Sequence, residues 1–564
     1  MINRRQLLEY FGAAGLAGTG FGEALWSGMQ EDPQSPVTSA MIASAERVAG
    51  LEFDEDEREM MRAGLARYQQ AYAAIRQLAI GNDVAPSLLF EPDLPGVNAP
   101  IPSGGDRVRP TRWRGLSRPE ADDDLAFASV AQLASLLATR SVSATELTQL
   151  YLQRLERYDS QLLFQVTSTA ERALRAAARA DEEIGAGDVH GPLHGVPWGA
   201  KDLFAVDGYP TTWGAAPYRD QRLDGDATVV QRLDDAGAIL VAKLTLGALA
   251  MGDVWFGGKT RNPWDPEQGS SGSSAGPGSA TASGCVGFAL GTETRGSIVS
   301  PATRNGVTGL RPTFGRVSRH GAMALSWSMD KIGPMCRTAE DCALVFAAIH
   351  GADGLDPSAR TTPFRWLADL DVTKLRVGFL EAAFEPAERY DNRAFDLETL
   401  RVLRRDIGVE LRPVQLPDFP VEALGFILSV EAAAAFDELT RSGRDDELTR
   451  QGGNAWPNSF RMARMIPAVE YIQANRARAL YQVQLAEAWR EVDVVVAPSY
   501  RLGILGATNL TGQPCVVLPN GFRDDGTPVS ISFLGNLYRD AEALQVAHAY
   551  QQATDFHLRR PPLA

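Results

Sequence analysis

The sequence predicts an α/β protein in which a large mixed, mostly parallel sheet is covered by helices on both faces, after an N-terminal helical extension. The composition is that of a soluble globular chain, because 45% of the 564 residues are hydrophobic and 22% are charged. Short runs rich in Val and Ile alternate with helical segments, and several runs are apolar throughout, which is typical of strands buried on both faces. The clearest of these runs are 238–244, 375–380, 492–497, 515–518 and 529–534.

The N-terminus carries the pattern of an export signal. Arg4 and Arg5 precede two leucines, and a Gly/Ala-rich stretch follows at 11–21. Residues 1–28 are therefore predicted to be a twin-arginine signal that sends the protein to the periplasm or cell envelope, with no clear cleavage site. The alternative is an ordinary amphipathic helix of a cytoplasmic protein. No segment is apolar over the length of about 20 residues that a membrane span needs.

An extension at 29–122 separates this signal from the main domain. A small, polar stretch at 29–50 is predicted to be a linker. The segment 54–78 is predicted to be a helix, because acidic residues fill its first turn and apolar residues share one face. Residues 83–122 are rich in Pro, Gly and Arg and are predicted to form an irregular strap. The apolar face of the predicted helix consists of Met61, Leu65, Tyr68, Tyr72 and Ile75.

Residues 123–560 are predicted to form a single domain. Ser143 and Glu146 have the spacing of a capping box, which predicts a helix that starts at this point. Its apolar stripe is predicted to consist of Leu147, Leu150, Tyr151 and Leu155.

Charge and cysteine usage exclude several classes of function. The 55 basic and 70 acidic residues give a net charge of −15, which makes nucleic acid an unexpected partner. Four cysteines do not make a disulfide framework, although Cys336 and Cys342 could pair instead of remaining buried thiols. His190 and His194 have the spacing of helical metal ligands, but Gly191 and Pro192 between them predict a loop. We therefore expect neither a metal nor a cofactor.

The segment 268–309 has an unusual composition. It is crowded with Gly, Ser and Thr, yet an apolar run at 286–290 interrupts it, unlike a disordered linker. Dense glycines allow consecutive backbone N–H groups to approach a ligand. Hydroxyl groups next to such amides suit acyl transfer, in which a serine attacks and the amides bind the oxyanion.

A lysine upstream supplies a candidate base. The run GVPWGAKD at 195–202 is apolar and rich in turn residues, and Lys201 stands near its end. Burial disfavours the charged form of a lysine, and a neutral lysine is a competent base. A surface lysine in a loop is the alternative that this segment alone leaves open.

Taken together, these segments resemble the amidase signature family. The resemblance covers 122–555 and rests on GVPWGAKD, on the serine- and glycine-rich signature at 272–318 and on NLTGQPCVVLPNGF at 509–522. It implies the amidase signature fold, with Lys201 as the base and Ser297 as the nucleophile. An ungapped alignment places the bridging serine at Ser273, not at Ser270, and the family's cis peptide bond would then be Gly272–Ser273.

The resemblance implies hydrolysis of a linear amide to a carboxylate and an amine or ammonia. Lys201 takes a proton from Ser273, which takes one from Ser297, and Ser297 forms an acyl-enzyme. Two positions depart from the family, which often has Gly at the position of Arg295 and Asp at that of Glu293. Arg295 could narrow the pocket, attract an acidic substrate or simply lie at the surface. The implied oxyanion donors are the backbone N–H groups of Thr294, Arg295, Gly296 and Ser297.

Rival interpretations of the same residues remain. Ser274 lies in G-x-S-x-G, the nucleophile elbow of Ser-His-Asp esterases, but 261–269 contains two prolines and is not expected to be the strand that an elbow needs. Ser328 and Lys331 fit S-x-x-K, without the K-T-G partner. A non-catalytic binding or scaffold protein and the hydrolytic subunit of a tRNA amidotransferase are further alternatives. The histidines available to an esterase are His320, His350, His548 and His557.

The substrate pocket is the least defined part of the prediction. Two segments carry large apolar side chains and are candidate walls for a small-molecule amide, although core packing would use the same residue types. The sequence favours none of aliphatic, aryl, peptide or fatty amides, or esters, and it does not indicate an oligomeric state. The candidate wall residues are Met251, Trp255, Met323 and Trp327.

Overall fold

The computed structural model describes residues 37–563 except 76, 78, 79, 85, 95 and 98–103. The predicted twin-arginine signal at 1–28 lies outside the described residues, so export remains a prediction. The chain divides into two units. The first comprises Met1–Val84 and Arg464–Glu470, and the second comprises Ala85–Ala463 and Tyr471–Ala564.

The first unit contains helices α1 (Ser39–Ala49) and α2 (Glu55–Ile75). The predicted linker at 29–50 is therefore wrong over 39–49, where Thr38 caps the helix by accepting the Met41 N–H at 3.2 Å. Met61 and Leu65 of α2 pack against a small buried cluster, as predicted. Tyr68 and Ile75 are exposed instead, because α1 is half the length of α2 and cannot cover its second half. The side chain of Tyr72 lies outside the described residues.

The second unit is built on one large sheet. All five predicted strands are present at or within two residues of the predicted starts. The described strands are β1 (Arg107–Arg109), β2 (Gln165–Ser168), β3 (Pro197–Lys201), β4 (Ile239–Leu244), β5 (Val254–Trp255), β6 (Gly258–Lys259), β7 (Arg261–Asn262), β8 (Asp265–Gly269), β9 (Phe288–Glu293), β10 (Thr308–Arg311), β11 (Lys331–Cys336), β12 (Arg365–Leu367), β13 (Val377–Leu380), β14 (Leu411–Val414), β15 (Val494–Pro498), β16 (Cys515–Phe522) and β17 (Pro528–Gly535).

Within the described residues, eleven of these strands form a mixed sheet in the order β14-β13-β15-β17-β16-β10-β11-β9-β3-β4-β2. The prediction of a large mixed sheet is confirmed, but the expectation that it is mostly parallel is wrong. Only the pairs β13–β14, β13–β15, β3–β4 and β3–β9 are parallel, and the other six are antiparallel. Uninterrupted apolar runs arise here because helices cover the sheet, whatever the direction of its strands.

Helices flank the sheet and fill the connections between strands. The predicted helix after Ser143 is confirmed, and Ser143 caps it by accepting the Glu146 N–H at 2.9 Å. The Glu146 carboxylate accepts from Arg118 instead of closing a capping box. The remaining described helices are α3 (Asp122–Ala126), α4 (Val130–Ala138), α5 (Ala144–Leu162), α6 (Ala170–Ala186), α7 (Thr228–Asp235), α8 (Ala275–Ala282), α9 (Val299–Asn305), α10 (Ala339–Ile349), α11 (Arg393–Arg401), α12 (Phe426–Ala435), α13 (Asp437–Arg441), α14 (Trp456–Ala463), α15 (Ala468–Ala488), α16 (Ile504–Thr511) and α17 (Asp540–Gln552).

Two further sequence expectations concern cysteines and membranes. Cys336 and Cys342 are buried and not paired with each other, and Cys285 and Cys515 are likewise buried free thiols. Among the helices that the structure describes, none combines the length and the apolar character that a membrane span needs.

Candidate active site

Lys201 is the last residue of β3, at the carboxyl end of a strand that lies between two parallel neighbours, β4 and β9. Loops at the carboxyl ends of parallel strands form the usual ligand site of open α/β sheets. Every residue of β3 is buried, so the lysine side chain extends through the interior. Its Nζ lies 2.9 Å from Ser273 Oγ, 3.1 Å from Ser274 Oγ and 2.8 Å from Thr292 Oγ1.

The protonation of Lys201 follows from its surroundings. Burial lowers the pKa of Lys201 to about 7, while the carboxylates of Asp330 and Glu293 act in the opposite direction. Lys243, on the neighbouring strand β4, is equally buried but has a carboxylate partner, since its Nζ lies 2.8 Å from Asp202 Oδ1. Lys243 thus has a carboxylate partner, whereas Lys201 contacts hydroxyl groups. Lys201 can therefore be neutral near neutral pH, with hydroxyl groups and no carboxylate in hydrogen-bonding contact with its amine.

Ser273 lies in a tight loop before α8. The Gly272–Ser273 peptide bond is cis, as the resemblance implies for the serine at this position. A Cβ on Gly272 would lie 1.8 Å from the carbonyl oxygen of Gly252, so only glycine fits there. The Ser271 N–H donates to Asp253 Oδ2 at 3.0 Å and ties the same loop to the segment after Met251. Ser273 is buried, with its hydroxyl beside Lys201.

Ser274 has a structural role that does not fit a nucleophile elbow. Its hydroxyl donates to the Thr292 carbonyl at 3.1 Å and accepts the Thr292 N–H at 3.1 Å, which joins α8 to the end of β9. The side chain is fully buried. The expectation that 261–269 contains no strand is wrong, because β7 and β8 form a two-stranded ribbon there. Pro266 is tolerated because this ribbon lies outside the large sheet.

The S-x-x-K pattern also has a structural explanation. The Ser328 hydroxyl donates to Glu431 Oε1 at 2.7 Å and accepts from Arg478 at 2.9 Å. The Lys331 Nζ donates to the Met329 carbonyl. Ser328 and Lys331 thus serve separate contacts and do not form a nucleophile and base pair.

The loop that carries Ser297 connects β9 to α9 and is closed by a buried carboxylate. Glu293 accepts the N–H groups of Ile298 and Val299 at 2.8 and 2.9 Å. Arg311 and Asn509 each donate to its other oxygen at 2.8 Å. Burial alone would raise the pKa of Glu293, but Arg311 and these hydrogen bonds lower it, so the carboxylate is ionised. Asn509 is the first residue of the C-terminal motif at 509–522, and this hydrogen bond joins that motif to the loop.

The loop between β9 and α9 contains a run of consecutive backbone N–H groups that are available to bind a ligand. Within the described part of the chain, the backbone N–H groups of Thr294, Arg295, Gly296 and Ser297 have no hydrogen-bond partner. Protein amides are almost always paired, so four unpaired ones in succession indicate a site for an anionic or carbonyl oxygen. Gly296 has a φ of 114°, which requires glycine, and a Cβ there would lie 3.0 Å from Leu505.

Ser297 is half-buried and lies beside the Ser273 loop. Its carbonyl accepts the Ser274 N–H at 3.2 Å, which fixes the two serine-bearing loops against each other. Among the described residues, the structure brings together Lys201 and Ser273, but no hydrogen bond joins the hydroxyl groups of Ser273 and Ser297.

Three contact residues of this site are absent from the sequence prediction. Asp330 Oδ1 accepts the Thr294 hydroxyl at 2.6 Å, and its other oxygen accepts the N–H groups of Leu325 and Ser326 at 2.8 and 2.9 Å. Thr292 and Asn509 are the other two. The available signal for Asp330 in the sequence was an acidic residue directly before the segment that forms β11. The contact itself depends on β9 and β11 being neighbours, which no local pattern indicates.

The predicted pocket residues lie on segments that adjoin the site. Gly252, next to Met251, contacts Gly272, and Met323 donates its N–H to the carbonyl of Leu203, two residues after Lys201. Trp255 and Met323 are buried, whereas Met251 and Trp327 are half-buried. Their role as substrate walls remains a prediction.

His190 and His194 do come together with Glu183, but their geometry does not suit a metal ion. The imidazole rings are stacked with centroids 4.3 Å apart and planes 20° apart, so their nitrogen lone pairs lie in two nearly parallel planes. His194 Nδ1 accepts the His190 N–H at 3.2 Å, which places the ring proton on Nε2, where it donates to Glu183 at 3.0 Å. A metal-binding histidine uses one ring nitrogen for the metal and donates from the other. In His194 both ring nitrogens already have a hydrogen-bond partner in the protein.

The fold and the site with the buried lysine are found in a known family of enzymes. The profile of the Amidase family matches residues 146–544. The chain belongs to this family, which carries the amidase signature, and it is accordingly an amidohydrolase.

Particular relatives are similar over most of their length. The A subunit of the glutamyl-tRNA(Gln) amidotransferase of Methylococcus capsulatus is 33% identical over 480 residues, which are 77% of this chain and 98% of that protein. The native peptide amidase of Stenotrophomonas maltophilia has a TM-score of 0.68 at 30% identity and covers 77% of this chain and 98% of its own. A 6-aminohexanoate cyclic dimer hydrolase shares the fold, with a TM-score of 0.67 at 22% identity and coverages of 78% and 99%.

Proposed function

We propose that this protein hydrolyses the carbon–nitrogen bond of a small-molecule linear amide through an acyl-enzyme on Ser297. The observation that carries the proposal is the buried Lys201, whose Nζ lies 2.9 Å from Ser273 Oγ and whose pKa is about 7. A lysine with this pKa is partly neutral under ordinary conditions and can accept a proton, which is the property that a general base needs.

The relay moves protons in both directions. In the first half, Ser273 passes its proton to Lys201 Nζ and takes the proton of Ser297, whose oxygen attacks the carbonyl carbon. The tetrahedral intermediate then expels the nitrogen, which leaves as the amine after Ser273 and Lys201 return a proton to it. The acyl group remains on Ser297 as an ester. Water attacks this ester with Lys201 again as the base, and the carboxylate leaves.

The oxyanion of each intermediate is assigned to the backbone amides of Thr294, Arg295, Gly296 and Ser297. Support comes from the absence of other partners for these amides within the described residues and from the closure of their loop by Glu293. One such donor can contribute about 3–4 kcal/mol to stabilisation of the transition state.

An acyl-enzyme predicts capture by a second nucleophile. Incubation of the protein with a panel of aliphatic, aryl and peptide amides plus hydroxylamine should give the hydroxamate alongside the acid, in a ratio that rises with hydroxylamine concentration. Ser297→Ala should give neither product, with a loss in kcat of up to ~10⁶-fold, while circular dichroism shows a folded protein. Wild-type hydrolysis by Ser297→Ala would refute the assignment of the nucleophile.

A second candidate function is the amide-hydrolysing subunit of an amidotransferase. It is favoured by the 33% identity to the A subunit of such an enzyme over 98% of that protein's length. An amidotransferase subunit works with a partner, so purification of the tagged protein from its native cells distinguishes the two functions. A stoichiometric partner and release of ammonia from glutamine would favour the second function, and amide hydrolysis by the isolated chain favours the first.

A further inference from the structure

Arg295 stands within the loop of unpaired amides, two residues before Ser297, where the family often has glycine. Its side chain is about one-third exposed, with 32% of its surface accessible, and it pairs with a carboxylate of another segment. Its Nη2 lies 2.5 Å from Glu422 Oε2. Glu422 belongs to the short 3₁₀ turn Val421–Gly425, which leads into α12. The ion pair therefore connects the Ser297 loop to a distant part of the chain.

Glycines make room for this ion pair on two sides. A Cβ on Gly425 would lie 2.9 Å from Arg295 Nη1, and one on Gly506 would lie 3.3 Å from Nη2. Gly503, just before α16, would place a Cβ 3.3 Å from Glu422 Oε1. The paired side chains of Arg295 and Glu422 thus lie between the backbone of the 3₁₀ turn and the start of α16. The same helix carries Asn509, which donates to Glu293 at 2.8 Å.

Two ion pairs of different character therefore hold the same loop. Glu293 and Arg311 are fully buried, with 0% of either side chain exposed. Arg295 and Glu422 are in contact with solvent, and 70% of the Glu422 side chain is exposed. Dissolved salt screens exposed charges strongly and buried charges weakly. Only the outer pair should respond to ionic strength.

We propose that Arg295 is a positioning residue, which together with Glu422 holds the amides of 294–297 in the arrangement that receives the oxyanion. This inference rests on the proposed function, because it assigns Arg295 a part in the geometry around Ser297. The Arg295 side chain acts through the backbone of the loop and does not itself contact the reacting atoms. The activity of this enzyme should consequently fall with ionic strength, unlike that of a relative with glycine at this position.

The test uses the rate at which a fluorophosphonate labels Ser297, because the phosphoryl oxygen occupies the same amides and no natural substrate is needed. Arg295→Gln and Glu422→Gln should each label about fivefold more slowly, the largest factor that a solvent-screened ion pair supports. The reversed pair, Arg295→Glu with Glu422→Arg, should recover most of the wild-type rate. In 0.5 M salt the wild type should slow to the rate of Arg295→Gln, which should itself stay constant.

Arg401→Gln provides the matched control, because Arg401 is similarly exposed and pairs with Glu398 and Asp406 on a helix remote in sequence from the loop. It should label at the wild-type rate. Labelling of Ser297 at the wild-type rate in Arg295→Gln, or a reversed pair as slow as the single variants, would overturn the inference and leave the proposed function intact. A wild-type protein in which Ser297 takes no label would instead overturn the proposed function, and the inference with it.

Discussion

Lys201→Met should lower kcat/KM for amide hydrolysis by about 10²–10⁴-fold, the usual contribution of a general base. In the wild type the rate should rise with pH through about 7, since only the neutral amine accepts the proton of Ser273. The variant should lose this rise. Initial rates between pH 5 and 9 measure both effects. A variant with wild-type rates, or one that keeps the rise near pH 7, would contradict the relay.

The same variant should be more stable than the wild type at neutral and acid pH. The folded-state pKa of Lys201, about 7, lies below the ordinary value of 10.5, so the unfolded chain binds more protons between these values. Burial of Lys201 therefore destabilises the fold fully below pH 7, and this penalty disappears as the pH rises past 10.5. The variant also loses the hydrogen bonds of the lysine. We therefore expect the free energy of unfolding, measured with urea at pH 7, to increase by a net amount of about 1–4 kcal/mol.

Lys243→Met is the matched control on the next strand. Its removal leaves the Asp202 carboxylate buried without the partner at 2.8 Å, so the free energy of unfolding should decrease by about 3–5 kcal/mol. Opposite signs for the two variants would distinguish a lysine held for catalysis from one held for structure. Destabilisation by both would contradict the expected relief of the burial penalty at Lys201.

Glu293→Gln should lose both stability and reactivity. The change leaves the Arg311 guanidinium buried without a counter-charge, which we expect to decrease the free energy of unfolding by about 3–5 kcal/mol. It also weakens the acceptor that holds the Ile298 and Val299 amides, so labelling of Ser297 by a fluorophosphonate should become about 10²–10³-fold slower, which is the loss that one displaced oxyanion donor causes.

A double variant separates the two effects. Arg311→Met with Glu293→Gln removes both charges and should regain most of the stability, because no buried charge is left unpaired. Its labelling rate should stay low, since the carboxylate that closes the loop is still missing. A single variant Glu293→Gln that labels Ser297 at the wild-type rate would show that the loop keeps its shape without this carboxylate.

The sequence was informative where short segments determine the structure. Apolar runs located β4, β13, β15, β16 and β17, because burial selects Val and Ile over a few consecutive residues. The direction of strands was predicted wrongly, since it depends on connections. The strands β16 and β17 are buried except at Phe522, yet they form an antiparallel pair joined by a short turn.

The candidate site shows the same division. Lys201 and Ser273 lie in dense motifs, and the structure places their side chains 2.9 Å apart. Asp330 and Glu422 stand in unremarkable segments, and their contacts with Thr294 and Arg295 span 36 and 127 residues. Such contacts form only when the strands of the sheet and the segments that connect them take up their tertiary arrangement. A local pattern therefore cannot indicate them.

The identity of the nucleophile is tested most directly by mass-spectrometric mapping of a fluorophosphonate adduct on the folded protein. The relay predicts one adduct, on Ser297, which is half-buried and belongs to the run of four amides without a partner among the described residues. It should disappear in Ser297→Ala and should form much more slowly in Lys201→Met. An adduct on Ser274 would contradict the account and favour an esterase-type elbow, and a folded protein without any adduct would favour a binding protein that retains the amidase fold.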